Sequence, residues 1–397
     1  MREWKEISLQ EVVSKLGDGL HGTPVYDVNG KYYFINGNNL TNGKIIIKEN
    51  TQKTNFEEYT KYKKDLNDRT ILLSINGTLG NVALYNNENC ILGKSACYFN
   101  VKENVDKQFI KYLVLNKHFQ DYIDSIANGS TIKNVSLKTI REYPFNLPSL
   151  AEQTAIGDVL CSLDDKIDLL HRQNKTLEQL AGTLFRQWFV EEAKDKWEFV
   201  DLEYVTSKIT DGAHQSPHTT ETGFPMASVK DMHDWGILIN SCRKISKFDF
   251  DELVRNDCRP LKNDIVIAKD GSYLKHIFVS PEDMDVVILS SIAILRPNYK
   301  YNPLLLNTLL KMDSTIEQLK NIVTGGVIPR IVLKDFRKFK IQLPPMEVQN
   351  EAAKVIGPIY SKCWNNITQI RTLTQLRDTL LPRLISGDLR VSKIRNE

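Results

Sequence analysis

The sequence predicts an α+β chain: two similar mixed α/β domains separated by two long helices that pair antiparallel as a coiled coil. Three observations carry this: a repeat of about 195 residues, strand-like runs broken by Asn-Gly turns inside each copy, and a heptad seam after each copy. Trp4, Asp18, Gly19, His21 and Pro24 reappear as Trp197, Asp211, Gly212, His214 and Pro217, each displaced by 193. Gly129, Ile132, Leu137, Leu147, Pro148 and Gln153 reappear as Gly325, Ile328, Leu333, Leu343, Pro344 and Gln349, each displaced by 196. So small a drift marks duplication of a whole folding unit, far longer than a solenoid repeat of about 20–50 residues. Two copies imply pseudo-two-fold geometry and a partner with two related half-sites. Duplex DNA is the obvious candidate.

The first copy spans 1–148. Apolar runs such as Lys44-Ile45-Ile46-Ile47 and Thr70-Ile71-Leu72-Leu73-Ser74-Ile75 alternate with turns at Asn29-Gly30, Asn36-Gly37, Asn42-Gly43 and Asn76-Gly77. Such alternation reads as strands and turns. A helix is expected over Lys107 to Ile126, where Phe109, Tyr112, Leu113, Phe119, Tyr122 and Ile123 keep helical spacing. The second copy, 195–344, repeats the order: Asp264-Ile265-Val266-Ile267-Ala268, a turn at Asp270-Gly271, a helix over Pro303 to Ile322, and the closing Leu343-Pro344.

The segments 149–194 and 345–397 differ in kind. Ile156, Leu160, Leu163, Ile167, Leu170, Asn174, Leu177, Ala181, Leu184 and Trp188 step by four and three alternately, which specifies a left-handed coiled-coil seam. The second seam is Ala352, Ile356, Ile359, Cys363, Asn366, Ile370, Leu373, Arg377, Leu380 and Leu384. Gly357-Pro358 suggests a break or restart there, and Pro382 an end or a kink. The first segment, if wholly helical, is about 60 Å long at about 1.5 Å per residue.

With 41% hydrophobic and 25% charged residues in 397, the chain reads as a globular protein of two to three domains. No run approaches 18 apolar residues, and the N-terminus has no apolar signal, so a cytoplasmic protein off the membrane is expected. Six scattered cysteines without a C-x-x-C pair read as reduced thiols, with neither a zinc site nor a disulfide framework. A net charge of +3 permits nucleic-acid binding without arguing for it.

Catalytic motifs are missing. There is no G-x-x-x-x-G-K-[ST] loop, no G-x-G-x-x-G after a strand, no N-P-P-[YF] or D-P-P-[YF], and no duplicated carboxylate set for a nuclease metal. The D-G-x-H-x-[ST]-P element, Asp18 to Pro24 and Asp211 to Pro217, reads as turn chemistry with His closing the loop, the alternative being a phosphate or base contact. The loops Ser74 to Gly80 and Lys269 to Lys275, and the pair Asn128 to Asn134 and Thr324 to Arg330, match in framework and differ in side chains. That is expected of two readers of two different sequences. Together with the basic cluster Lys61-Tyr62-Lys63-Lys64, whose alternative is solvated surface charge, and with Lys230, these loops nominate as DNA contacts Lys61, Lys63, Lys64, Asn76, Lys133, Asn134, Lys230, Lys269, Lys275 and Arg330, a hairpin turn with exposed polar residues being the alternative for the loops.

The doubled D-G-x-H-x-[ST]-P opening, the doubled loops, the closing runs Leu147-Pro148-Ser149-Leu150-Ala151-Glu152-Gln153 and Leu343-Pro344-Pro345-Met346-Glu347-Val348-Gln349, and Leu184-Phe185-Arg186-Gln187-Trp188-Phe189-Val190 resemble the specificity subunit of type I restriction–modification enzymes. The resemblance covers the whole chain; Val348 in place of the acid Glu152, and Pro358 and Pro382, depart from it. It implies a non-catalytic subunit whose two target-recognition domains each read one half of an asymmetric bipartite duplex, with the helices setting the spacer. It also implies docking of two methylation subunits, for which Leu184, Phe185, Trp188, Phe189, Leu380 and Leu384 are the nominated residues, and of motor–nuclease subunits through them. No cofactor is expected on this chain, with S-adenosylmethionine, ATP and Mg²⁺ expected on the partners. Two other classes stay open: a nuclease or methyltransferase with unfamiliar motifs, and a scaffold that binds only proteins.

Overall fold

The computed structural model describes residues 4–41, 43–127, 133–191, 193, 197–324 and 329–391. Of the repeat's markers, Gly129, Ile132, Gly325 and Ile328 lie outside the described residues, as does Asn42. The chain forms two compact units, Met1–Ile167 with Thr372–Glu397, and Asp168–Arg371.

In the first unit β1 (Lys5–Ser8), β2 (Val13–Asp18), β3 (Tyr32–Ile35) and β4 (Lys53–Thr54) lead to α1 (Phe56–Tyr62). Then come β5 (Thr70–Ser74), β6 (Val82–Leu84), β7 (Cys90–Leu92), β8 (Ala96–Val101), α2 (Lys107–Leu115), α3 (Lys117–Ile126), α4 (Leu137–Arg141) and β9 (Pro144–Leu147). A four-stranded antiparallel sheet runs β2-β8-β5-β6, a three-stranded one β4-β3-β7 with β3 and β7 parallel, and β1 pairs with β9. Every residue of β5 and β8 is buried, because both faces of the larger sheet are covered and strands in that position are apolar throughout. Phe99, Ile71 and Leu73 pack against Phe109, Leu113 and Phe119 on one face, while Leu72, Ala83 and Tyr98 meet Ile35, Leu40 and Leu92 on the other.

The second unit repeats this order. It holds β10 (Phe199–Asp201), β11 (Thr206–Asp211), β12 (Phe224–Ala227), β13 (Arg243–Ile245) and α6 (Lys247–Arg255), followed by β14 (Ile265–Ala268), β15 (Ile277–Val279), β16 (Val287–Ile288) and β17 (Ile292–Pro297). It continues through α7 (Pro303–Leu310), α8 (Asp313–Lys320), α9 (Leu333–Arg337) and β18 (Lys340–Gln342). Its sheets run β11-β17-β14-β15, β13-β12-β16 with β12 and β16 parallel, and β10-β18. These three sheets repeat those of the first unit, and the second unit adds a short pair, Val323–Thr324 with Arg330–Ile331.

Three expectations need correcting. The apolar run over Lys107 to Ile126 is two helices, because Asn116 takes an extended ψ of 140° and caps α2 through bonds to the Tyr112 and Leu113 carbonyls. The run after Pro303 divides likewise into α7 and α8. Each pair covers the same sheet, so the apolar period passes through the break without a sign of it. The strand at Lys44 is only Lys44–Ile45; Ile46 and Ile47 are exposed.

The long helices are α5 (Leu150–Arg186), which ends in a π-helical turn Gln187–Glu191, and α10 (Met346–Ser386). Every position of both seams is buried or half-buried. In the first unit the start of α5 and the end of α10 run antiparallel, with Glu152 bonded to Arg390 at 2.8 Å and Asp164 to Arg377 at 3.0 Å. In the second, Asn174 meets Asn366 at 2.8 Å, while Ala181 and Phe185 share a core with Ile356 and Ala352. Pro358 and Pro382 neither break nor end α10, contrary to expectation. An interior proline costs about 3 kcal/mol. Burial of Ile356 and Tyr360 around one, and of Leu384 and Ile385 beyond the other, offsets it.

The duplicated closing run is a clamp. Gln153, buried, accepts from the Asp106 N–H at 2.9 Å and donates to the Pro148 carbonyl at 2.9 Å, tying α5 to the start of α2. Gln349, fully buried, accepts from the Asn302 N–H at 2.8 Å and donates to the Pro344 and Lys300 carbonyls at 2.9 and 3.0 Å.

One half-buried histidine makes the second unit acid-sensitive. Burial pulls the His233 imidazole down to about 4; Asp234 opposes this, while His276, His171 and Arg371 reinforce it. Its Nδ1 accepts the Trp235 N–H, which requires the neutral ring. The unfolded chain protonates His233 near 6.5 and the folded one does not, so stability present above about pH 6.5 falls progressively down to about 4. Urea unfolding should show a loss of about 2 kcal/mol from this residue between pH 7 and pH 5. A His233→Gln chain that keeps the full acid slope would contradict the assignment.

Candidate nucleic-acid interface

At one end of each four-stranded sheet, four short segments converge. In the first unit the loop after β5 and the chain before α4 form one surface. Asn76 bridges Asn134, with Nδ2 of the first donating to Oδ1 of the second at 3.2 Å, and the Gly77 N–H donates to the Lys133 carbonyl at 3.0 Å. Val135 N–H returns to the Ile75 carbonyl at 2.9 Å. The third segment is the turn Gly37–Asn39, held by a capping box of Asn36 and Asn39. The fourth is Ser95, whose Oγ donates to Asn36 and accepts the Gly37 N–H, and whose carbonyl accepts the Ile75 N–H.

The second unit builds the same cluster from other residues. The backbones of Asp270 and Arg330 form the equivalent bridge, Gly271 N–H donates to the Pro329 carbonyl at 3.0 Å, and Ile331 N–H to the Lys269 carbonyl at 3.1 Å. The turn Val229–Asp231, capped by Ser228 and Asp231, presents Lys230, and Ser291 binds both this turn and the Lys269 N–H. Gly77 and Gly271 sit at φ +75° and +68° with open space where a Cβ would stand. The left-handed backbone explains glycine at both.

The nominated residues divide. Asn76, Lys133 and Asn134 come together in the first unit, and Lys230, Lys275 and Arg330 are exposed around the second cluster; Lys133 is paired with Asp124. The rest of the loops Asn128 to Asn134 and Thr324 to Arg330 lies outside the described residues, at 128–132 and 325–328. Lys269 is corrected. Its side chain is 8% exposed and held by Asp211 at 2.9 Å and Asp270 at 3.5 Å, so it is a buried ion-pair member that does not reach out. Lys61, Lys63 and Lys64 belong elsewhere, at the end of α1 beside the three-stranded sheet, with Lys61 over the Tyr62 ring. Sequence reading missed Ser95 and Ser291, although they obey the same displacement of 196.

The D-G-x-H element is a turn. Asp18 binds His21 at 2.6 Å and Asp211 binds His214 at 3.2 Å, while both imidazoles stay largely exposed. A Cβ on Gly19 would meet the Leu92 carbonyl at 2.3 Å, and one on Gly212 the Ile288 carbonyl at 2.0 Å. The backbone approach, rather than the histidine, dictates the motif's glycine.

Phe185, Phe189 and Leu384 are likewise corrected as partner contacts. They are at most 3% exposed in this chain's own cores, since the α5 terminus folds onto its own head through Phe185, Phe189 and Trp197. Leu184, Trp188 and Leu380 are half-buried. Exposed apolar positions on the two long helices include Leu150, Leu169, Leu180, Met346, Val355 and Leu376. Leu180 and Leu376, 45% and 44% exposed, are each other's counterparts at 196 and lie off the seam.

Among the described residues no group of His, Cys, Asp and Glu is placed to hold a metal, and no helix is long and apolar enough to cross a membrane. The family model of the type I restriction modification DNA specificity domain matches residues 1–179 and again 194–375. The MjaIX specificity subunit of Methanocaldococcus jannaschii is 27% identical over 349 residues, covering 82% of this chain and 78% of that protein. The HindI specificity subunit of Haemophilus influenzae is 22% identical over 470 residues, 98% of this chain and all of that protein. A crystal structure of a type I restriction–modification S subunit from M. genitalium shares the fold, with TM-score 0.55, 20% identity and 96% of each chain covered.

Proposed function

This chain belongs to the type I restriction–modification DNA specificity family, and from that premise we propose that each head reads one half of an asymmetric bipartite duplex target. The observation that carries this reading is the doubled loop cluster: one backbone frame, built twice, with Asn76, Lys133 and Asn134 in one copy and Asp270, Pro329 and Arg330 in the other. Amide and guanidinium groups at such tips can address base edges, and a frame shared between different side chains suits two sequences. The long helices set the unspecified gap. Two methylation subunits dock on the exposed helix faces, where the paired Leu180 and Leu376 give each an equivalent apolar anchor, and motor–nuclease subunits join through them in the cytoplasm. S-adenosylmethionine, ATP and Mg²⁺ belong to those partners, and this chain supplies selectivity.

The assembled complex should retain duplex DNA selectively and with steep salt dependence. Arg330→Ala should weaken retention on the preferred target by about 1–3 kcal/mol and relax selection in one half of it, as loss of one base-edge contact does. Retention indifferent to sequence and salt would instead favour a scaffold that binds only proteins.

A further inference from the structure

We infer that the two long helices carry a pairing code by which each accepts only the other and rejects a second copy of itself, so that no assembly with two identical heads forms. The code has two parts. In the second unit Asn174 and Asn366, both buried, bond to each other at 2.8 Å, and Asn174 also donates to the Cys363 carbonyl at 3.2 Å. In the first unit the Asp164 carboxylate takes the Tyr112 hydroxyl at 2.6 Å, Arg377 at 3.0 Å and Lys111 at 3.4 Å.

The repeat tells what a homotypic pair would place there. At a displacement of 196, the counterparts of Asn366 and Arg377 on α5 are Leu170 and Ala181, and those of Asn174 and Asp164 on α10 are Ile370 and Tyr360. In the same register, α5 against a second α5 would set Asn174 against Leu170 and Asp164 against Ala181. A second α10 against α10 would set Asn366 against Ile370 and Arg377 against Tyr360. Each arrangement leaves a buried seam amide without its partner and strips the half-buried Asp164 or Arg377 of its cross-helix pair, leaving only the contacts within its own head or helix, and a polar seam residue is an effective device for choosing partner and register. The fold does not need the charges. In the second unit the same place holds Asn307 and Thr308 bonded to the Tyr360 hydroxyl at 2.8 and 2.9 Å. A cavity of about 380 Å³ lined by Ala181 and Gly182 stands where the first unit has Arg377 and Asp378.

The rejected contacts can be installed singly in the whole chain. Asn366→Leu and Arg377→Ala reproduce those of a doubled α5, and each should raise the unfolding constant in urea about tenfold or more. Asn174→Ile with Asn366→Leu, apolar on both sides, should recover most of that loss. Donor- and acceptor-labelled whole chains, unfolded and refolded together, should show no energy transfer when native. Transfer should appear once Asn174→Ile and Asn366→Leu are joined by Lys111→Asn, Tyr112→Thr, Asp164→Tyr and Arg377→Ala, the second unit's own set. Single variants as stable as the native chain, or equal transfer from native and recoded chains, would overturn the inference. No DNA enters the assay, so its failure leaves the reading of DNA untouched.

Discussion

A chain lengthened by one heptad in each long helix, after Ile167 and after Arg371, should select a target whose halves stand about three base pairs further apart. It should lose the parent target by about a hundredfold, the cost of misplacing one half-site. Seven residues add about 10 Å of helix at about 1.5 Å each, which is about three base-pair steps of 3.4 Å. A whole heptad keeps the seam in phase. Both insertions fall between the Asp164–Arg377 level and the Asn174–Asn366 level, so both pairings survive. Lengthening α5 alone is a different experiment: it sets one polar pair against apolar neighbours, and the expected result is lost stability rather than a longer gap. Selection from random duplexes by the assembled complex reads the outcome directly. An unchanged gap from a folded, doubly lengthened chain would refute the helices as the ruler.

Gln349→Leu should destabilise the chain by about 3 kcal/mol, and Gln153→Leu by somewhat less. Leucine fills a similar volume but strands the groups that glutamine serves. For Gln349 these are the Asn302 N–H and the Pro344 and Lys300 carbonyls, at a fully buried site; each buried group left unpaired costs about 1–3 kcal/mol, with partial relaxation expected. Gln153 serves one N–H and one carbonyl. Urea unfolding of the two variants should rank them in that order. Equal, negligible losses would mean the duplicated glutamine is not the clamp between helix and head. Because the clamp fixes where each long helix leaves its domain, Gln349→Glu should also blur target selection in chains that still fold.

The large-scale organisation was legible because duplication and the heptad seam are long-range signals. The displacement of 196 carried Leu-Pro and Gln into register, and the structure gives those residues one job in both units. Local breaks were not legible. Asn116 parts two helices that share one apolar stripe, and Pro358 and Pro382 sit inside a helix that packing holds together. The site was half legible. Glycine turns flagged the loops, whose meeting through Asn76 with Asn134 and Asp270 with Arg330 needed the fold. Charge alone misled at Lys269, which answers Asp211 inside the head. The resemblance of the run 184–190 misled at Phe185 and Phe189, which close their own core, whereas Leu180 and Leu376 match at the repeat and lie off the seam, a signal that could have been used.

The central claim is that the two heads read independently, and target selection by a complex carrying Asn76→Asp and Asn134→Arg tests it most directly. These changes give the first head the bridging pair of the second. The unmodified complex should select two different short motifs with a fixed gap; the variant should change bases in one motif only, leaving the other motif and the gap as they were. Changes in both halves, or a single uninterrupted motif from either complex, would contradict the account.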